Sequence, residues 1–161
     1  MATTRQLVFS AAACCLLLSA VGTGQQHDPS QHKILTPDMV TWGPAPPGLP
    51  PGAQVAVLHG SPAQQGPFVL RLKFPAGFIV PPHRHSQDEF VTVISGSFTI
   101  TPSEIVDRAA IKPLPAGSFM HMPAGTAHYA FAETETVVQV NGMGPFDVVY
   151  VKPADDPRKP N

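Results

Sequence analysis

From Gln54 onward, apolar and polar positions recur with the two-residue period of β-strands and not with the wider spacing of an amphipathic helix. The clearest stretch runs from Phe68 to Phe74: Phe68, Leu70, Leu72 and Phe74 fall on one face, and Val69, Arg71 and Lys73 on the other. Shorter runs at 55–58, 78–80, 90–94, 97–101, 111–114, 118–122, 127–131, 136–140 and 147–151 also read as strands. Breakers separate most of them, among them Pro75-Ala76-Gly77, Ser95-Gly96, Pro115-Ala116-Gly117 and Pro123-Ala124-Gly125. One short helical turn is predicted between Ser103 and Arg108. About ten short strands without a helix of ordinary length imply an all-β, two-sheet barrel or jelly roll, in which closure or layering limits exposed edges.

The flanks read differently. Arg5 precedes an apolar stretch from Leu7 to Val21, and Ala20 and Gly22 suit a cleavage before Thr23. This pattern predicts a secretory signal peptide over 1–22, with the alternative of an uncleaved anchor. Residues 23–52 read as an extended arm, because Gly43 to Gly52 is dominated by proline and glycine and can form neither helix nor central strand. That arm either wraps a barrel or a neighbouring subunit, or is a loop leading into the first strand. The barrel is expected over 53–152 and a polar, frayed tail over 153–161.

Composition narrows the function. Ten Lys and Arg against eleven Asp and Glu leave a net charge of −1, with no basic stripe for nucleic acid. Both cysteines, Cys14 and Cys15, fall in the expected signal, so the mature chain would have no disulfide, thiolate ligand or Cys nucleophile. The chain lacks a Gly-rich phosphate loop ahead of a helix and a Ser-centred nucleophile elbow. The 161 residues suit one domain. Secretion or a periplasmic location is expected, with no stable membrane association after signal cleavage.

The chemistry concentrates in His83, His85, Glu89 and His128. Side chains two apart on a strand share a face, so His83 and His85 project together, about 7 Å apart at the backbone, and Arg84 points away. The turn over 86–88 returns Glu89 to the start of the next strand. His128 comes from a distant segment and completes a set of three imidazoles and one carboxylate, a donor set for one divalent transition metal: Fe, Mn, Ni, Co, Cu or Zn. An octahedral ion held by all four keeps two positions open for water, substrate or dioxygen. A tetrahedral Zn ion would be filled by them and serve structure alone.

Two glycine-framed blocks carry these residues. The first reads Gly77, five residues, His83-Arg84-His85, three residues, Glu89, six residues, Gly96. The second reads Gly117, five residues, Pro123, Ala124, Gly125, two residues, His128. Together they resemble the two sequence motifs of the cupin superfamily, most closely its small single-domain bacterial members. Ala132 stands where the family usually has an asparagine, which is not a ligand. The resemblance covers about Val55 to Val151. It implies a double-stranded β-helix barrel, the ligand set His83, His85, Glu89 and His128, and often a homodimer. From dioxygenase cupins it implies an oxidoreductase acting on a small oxygen-chelating ligand, with Glu89 loosening to accept a proton. Isomerase and lyase cupins use similar ligands. The alternative is a non-catalytic module that captures a small molecule or metal.

His121 is the remaining catalytic candidate. Facing inward, it would be a base or a hydrogen-bond partner to a ligand; facing outward, it would be an ordinary surface histidine. Parity pairs it with Phe119 but does not choose the face. Phe90, Val91, Val93, Phe98, Tyr129 and Phe131 are candidates for an apolar pocket around the ion, or else plain barrel core.

Overall fold

The computed structural model describes residues 32–159. The expected signal over 1–22, with its cysteines, and the first part of the arm lie outside the described residues. From Leu35 the chain forms one compact unit of two antiparallel sheets. The strands are β1 (Gly43–Pro44), β2 (Gln54–His59), β3 (Gly66–Phe74), β4 (Phe78–Arg84), β5 (Glu89–Ser95), β6 (Ser97–Pro102), β7 (Leu114–Pro115), β8 (Phe119–Met122), β9 (His128–Ala132), β10 (Thr136–Gly144) and β11 (Val149–Tyr150). One sheet has the order β1-β2-β3-β10-β5-β8 and the other β11-β4-β9-β6-β7. Among the described residues no helix is long and apolar enough to cross a membrane.

From β3 onward the chain crosses between sheets at every turn except that from β6 to β7. The inner faces therefore meet as one core. Phe68, Leu70 and Phe74 of β3 join Val91 and Val93 of β5 and Val138 and Val140 of β10; Val80, Phe98, Ala130 and Ala132 face them from the other sheet. Phe74 stacks on Phe98 across the gap, with ring centroids 5.4 Å apart. The alternation read from the sequence of β3 holds, since Phe68, Leu70 and Phe74 are buried while Val69, Arg71 and Lys73 are only partly so.

Three sequence expectations change. The run at 78–80 extends to Arg84, through two consecutive prolines. Val80 pairs with Ala130 and His83 with His128, so Pro81 and Pro82 together oppose Tyr129 alone. This is a β-bulge, where a strand dispenses with ladder hydrogen bonds that proline cannot make. It also reverses parity: Val80 and His83 both face inward although they stand three positions apart, which in a regular strand puts them on opposite faces. The run at 111–114 gives only the two-residue β7, because Pro113 and Pro115 offer no N–H to a ladder. The helical turn falls at Arg108–Ala110, not between Ser103 and Arg108, because Asp107 caps it by accepting from the Ala109 N–H.

The arm and the tail both pack on the barrel. Gly43 and Pro44 pair with Val55 and Gln54, and the Tyr150 hydroxyl donates to the Gly48 carbonyl at 2.8 Å. Residues 153–159 are not frayed. Pro153–Asp155 form a 3-10 turn, and Arg158 is pinned to Asp156 and to the Val148 carbonyl.

At the β5–β6 corner Gly96 has φ +82°, and a Cβ there would stand 2.3 Å from the Glu135 carbonyl oxygen and 2.8 Å from Thr136 Cα. Gly77 has φ +78° with nothing near its missing Cβ. The Gly77→Ala change should therefore cost only the left-handed backbone, about 1 kcal/mol, whereas Gly96→Ala adds a backbone clash and should cost at least about 3 kcal/mol. Urea unfolding of the two variants checks this; equal losses would refute the corner geometry.

Candidate metal centre

His83 and His128 face each other across the β4–β9 ladder, and His85 follows just past the end of β4. The prolyl bulge turns the His83-Arg84-His85 triplet so that both imidazoles enter the barrel. Arg84 points out and bonds Glu104 at 2.6 Å. Glu89 opens β5 in the opposite sheet and brings its carboxylate in from across the barrel. The coordinating atoms of His83, His85 and His128 lie within 4.8 Å of one another. Glu89 Oε2 is 3.6 Å from His85 Nε2 and 3.4 Å from His128 Nε2. All four residues are buried, from 1% exposed at His128 to 8% at Glu89.

Each imidazole is held by its far nitrogen. His83 Nδ1 bonds the Pro81 carbonyl at 2.7 Å, His128 Nδ1 the Thr126 carbonyl at 2.9 Å, and His85 Nδ1 the Asp147 carbonyl. A carbonyl oxygen only accepts, so each Nδ1 carries the proton and each neutral ring turns an Nε2 lone pair inward. His85 Nε2, His128 Nε2 and Glu89 Oε2 are buried and have no hydrogen-bond partner. Unpartnered buried acceptors are costly, and a shared cation would satisfy all three at once. The donor set fits a divalent transition ion.

Electrostatics agree. Burial, reinforced by the neighbouring His128 and His85 rings, pushes His83 down from an ordinary 6.5 to about 3. Burial likewise lowers His85, against the pull of Glu89. Burial alone would raise Glu89, but the surrounding imidazoles outweigh it and hold its carboxyl below the usual range. At neutral pH the centre thus sets an anionic Glu89 carboxylate beside the neutral rings of His83 and His85.

A loop missed in the sequence supports the centre. Asp147 gives its backbone carbonyl to His85, while its Oδ1 accepts from the Ser86 N–H at 2.7 Å and the Ser86 hydroxyl at 2.8 Å. The preceding Phe146 stacks on the His85 ring, centroids 4.2 Å apart, and packs edge-on against Phe68. The breaker Gly142-Met143-Gly144-Pro145 marks a turn there, but nothing local marks its contacts, whose partners are some 60 residues away (61 for the Ser86–Asp147 bonds).

A cavity of about 290 Å³ adjoins the imidazoles. Among its buried lining are Phe74, Val80, Val91, Phe98 and Val138; its exposed lining includes Pro46, Asp147 and Arg158, which mark the rim. Of the aromatic and aliphatic candidates, Val91 and Phe98 line this space, and Val93 is core. Tyr129 is fully buried outside the cavity, its hydroxyl donating to the Asp107 carbonyl; Phe90 and Phe131 do not line it. His121 takes the outward alternative. It is exposed on β8, stacked on Phe90 and bonded to Asp88 at 3.1 Å, and it does not line the cavity.

Between pH 6.5 and about 3 the unfolded chain binds a proton at His83 that the folded chain refuses. This contribution to stability is complete above the unfolded value and lost as pH falls through that window. Urea unfolding of metal-free protein should weaken on acidification by on the order of 1 kcal/mol per pH unit for such a group, with a shallower slope in His83→Phe. Identical slopes would contradict the buried neutral imidazole. Asp147→Ala removes the Ser86 contacts that fix the His85 loop and should weaken cobalt(II) affinity about tenfold. An unchanged absorption titration would show that the loop holds itself.

Residues 34–160 match the family described as Domain of unknown function (DUF4437). By sequence, no curated protein matches the chain. Among solved structures, the polyketide cyclase RemF from Streptomyces resistomycificus aligns with a TM-score of 0.62 at 19% identity, over 78% of this chain and 89% of that one. An acetylacetone dioxygenase from Acinetobacter johnsonii gives 0.60 at 17% identity, over 83% and 85%. An RmlC-like cupin from Ralstonia eutropha JMP134 gives 0.56 at 23% identity, over 77% and 74%. At these identities the likeness establishes the fold. With the motif blocks, the two sheets and the histidine cluster in agreement, the chain belongs to the DUF4437 family and is a cupin.

Proposed function

We propose that the protein binds one divalent transition metal through His83, His85, His128 and Glu89 and acts as a metal-dependent oxidoreductase on a small oxygen-chelating compound. The observation that carries this reading is the set of three buried, unpartnered acceptor atoms beside an apolar cavity. A bound ion would supply Lewis acidity and, for a redox-active metal, electron transfer with dioxygen. The chain's residues do the rest. The carbonyl-anchored imidazoles present fixed lone pairs. Phe74, Phe98 and Val91 keep the space dry and favour a compound with an apolar body. Glu89, anionic and beside two imidazoles, holds the ion or takes the proton of an enol or catechol hydroxyl.

The open space argues against a barrel that merely cages a structural ion, because side chains would then fill it. The acetylacetone dioxygenase among the similar structures supports the choice of a β-diketone as first probe. The leader-like stretch from Arg5 to Gly22 supports export.

Protein purified without added metal should contain close to one transition ion per chain by elemental analysis. Oxygen uptake with acetylacetone should scale with that content and fall at least about 100-fold in His83→Ala. Uptake that persists in the metal-depleted variant would defeat the oxidoreductase reading.

A further inference from the structure

We propose that Arg158 forms an anion subsite on the cavity rim, so that the compound bound at the metal centre carries a carboxylate away from its chelating end. The inference rests on the preceding reading and specifies its substrate class. The cavity lining is otherwise almost wholly apolar away from the imidazoles and Glu89, and Arg158 is the one cationic side chain among its described lining residues. The remaining rim charge, Asp147, turns Oδ1 to Ser86.

The guanidinium is oriented in advance. Asp156 takes Nε at 2.7 Å and Nη2 at 2.9 Å, a two-pronged pair, and the Val148 carbonyl accepts from Nη2 at 2.8 Å. Asp156 is mostly shielded, whereas Arg158 stays 44% exposed. Among the described residues Nη1 has no partner, which leaves its two N–H groups for a ligand. The ion pair thus fixes the fork without using all its donors, and a planar guanidinium suits a carboxylate.

Gly48 keeps that nitrogen uncovered. A Cβ at Gly48 would sit 3.8 Å from Nη1, in ordinary contact, and Gly48 is not among the glycines with positive φ. Neither the backbone nor the space at Cβ demands glycine there, but a longer side chain would lie over Nη1. The Gly48 carbonyl is meanwhile tied to the Tyr150 hydroxyl, whose titration burial pushes up to about 12, so it remains a donor at neutral pH.

The test compares two β-diketone probes on the protein as purified, by anaerobic calorimetry: acetylacetone, which is neutral apart from its chelating end, and succinylacetone, which adds a carboxylate on a two-carbon arm. Succinylacetone should bind about tenfold more tightly. That preference should shrink as salt is raised, vanish in Arg158→Gln and survive in part in Arg158→Lys. Equal affinities in the wild type, or a preference that Arg158→Gln leaves intact, would overturn the subsite while leaving the diketone reading standing. Failure of both probes to bind would overturn that reading and this one with it. The salt series needs no variant, so the inference stays testable if Arg158→Gln does not fold.

Discussion

Three backbone carbonyls, at Pro81, Thr126 and Asp147, govern the centre of this protein. By accepting from Nδ1 of His83, His128 and His85 they fix one tautomer in each ring and aim the other nitrogen into the barrel. The inward lone pairs then have no protein donor to meet. Burial keeps His83 and His85 from protonating readily, and the Glu89 carboxylate faces the same space. A fold that buries four such groups together gains stability when something positive comes to them. The cavity, the clamped loops and the rim become intelligible once that constraint is granted.

The fold meets the constraint by drawing on both sheets. His83 and His128 are partners in one ladder, Glu89 begins a strand of the other, and His85 is secured from the loop before β11. The Pro81-Pro82 bulge is the local device that makes this arrangement compatible with a continuous core. In an unbroken strand, inward-facing Val80 would have sent His83 and His85 to the outer face. Asp88 performs a parallel task outside the barrel. It accepts from the Ala124 N–H and contacts His121, joining the turn before Glu89 to the loop before His128. His121 is thus linked to the site's scaffold while remaining apart from its cavity.

Much of this was legible in the chain because it depends on short periods. Alternation placed Phe68, Leu70 and Phe74 inside, and the one-residue gap between His83 and His85 put both rings on one face. Glycine and proline marked the corners, and the two motif blocks identified the remote His128 as a partner. Parity alone left His121 undecided, because the face of β8 depends on its pairing with β5. The bulge was illegible for a different reason: paired prolines read as the end of a strand when the opposing strand is unseen. Asp147, Phe146 and Arg158 act through contacts with Ser86, His85, Phe68 and the cavity rim that no local period encodes. The tail looked frayed because it is polar throughout; Arg158, oriented by Asp156, ties it to the Val148 carbonyl.

The central claim is that three imidazole nitrogens and a carboxylate oxygen close on one ion. X-ray absorption at the metal edge of the purified protein tests it most directly. The account predicts a first shell of nitrogen and oxygen only, at about 2.0–2.2 Å, with outer-shell scattering from three imidazole rings and no sulfur. A spectrum without imidazole scattering, or an ion surrounded by water alone, would contradict it.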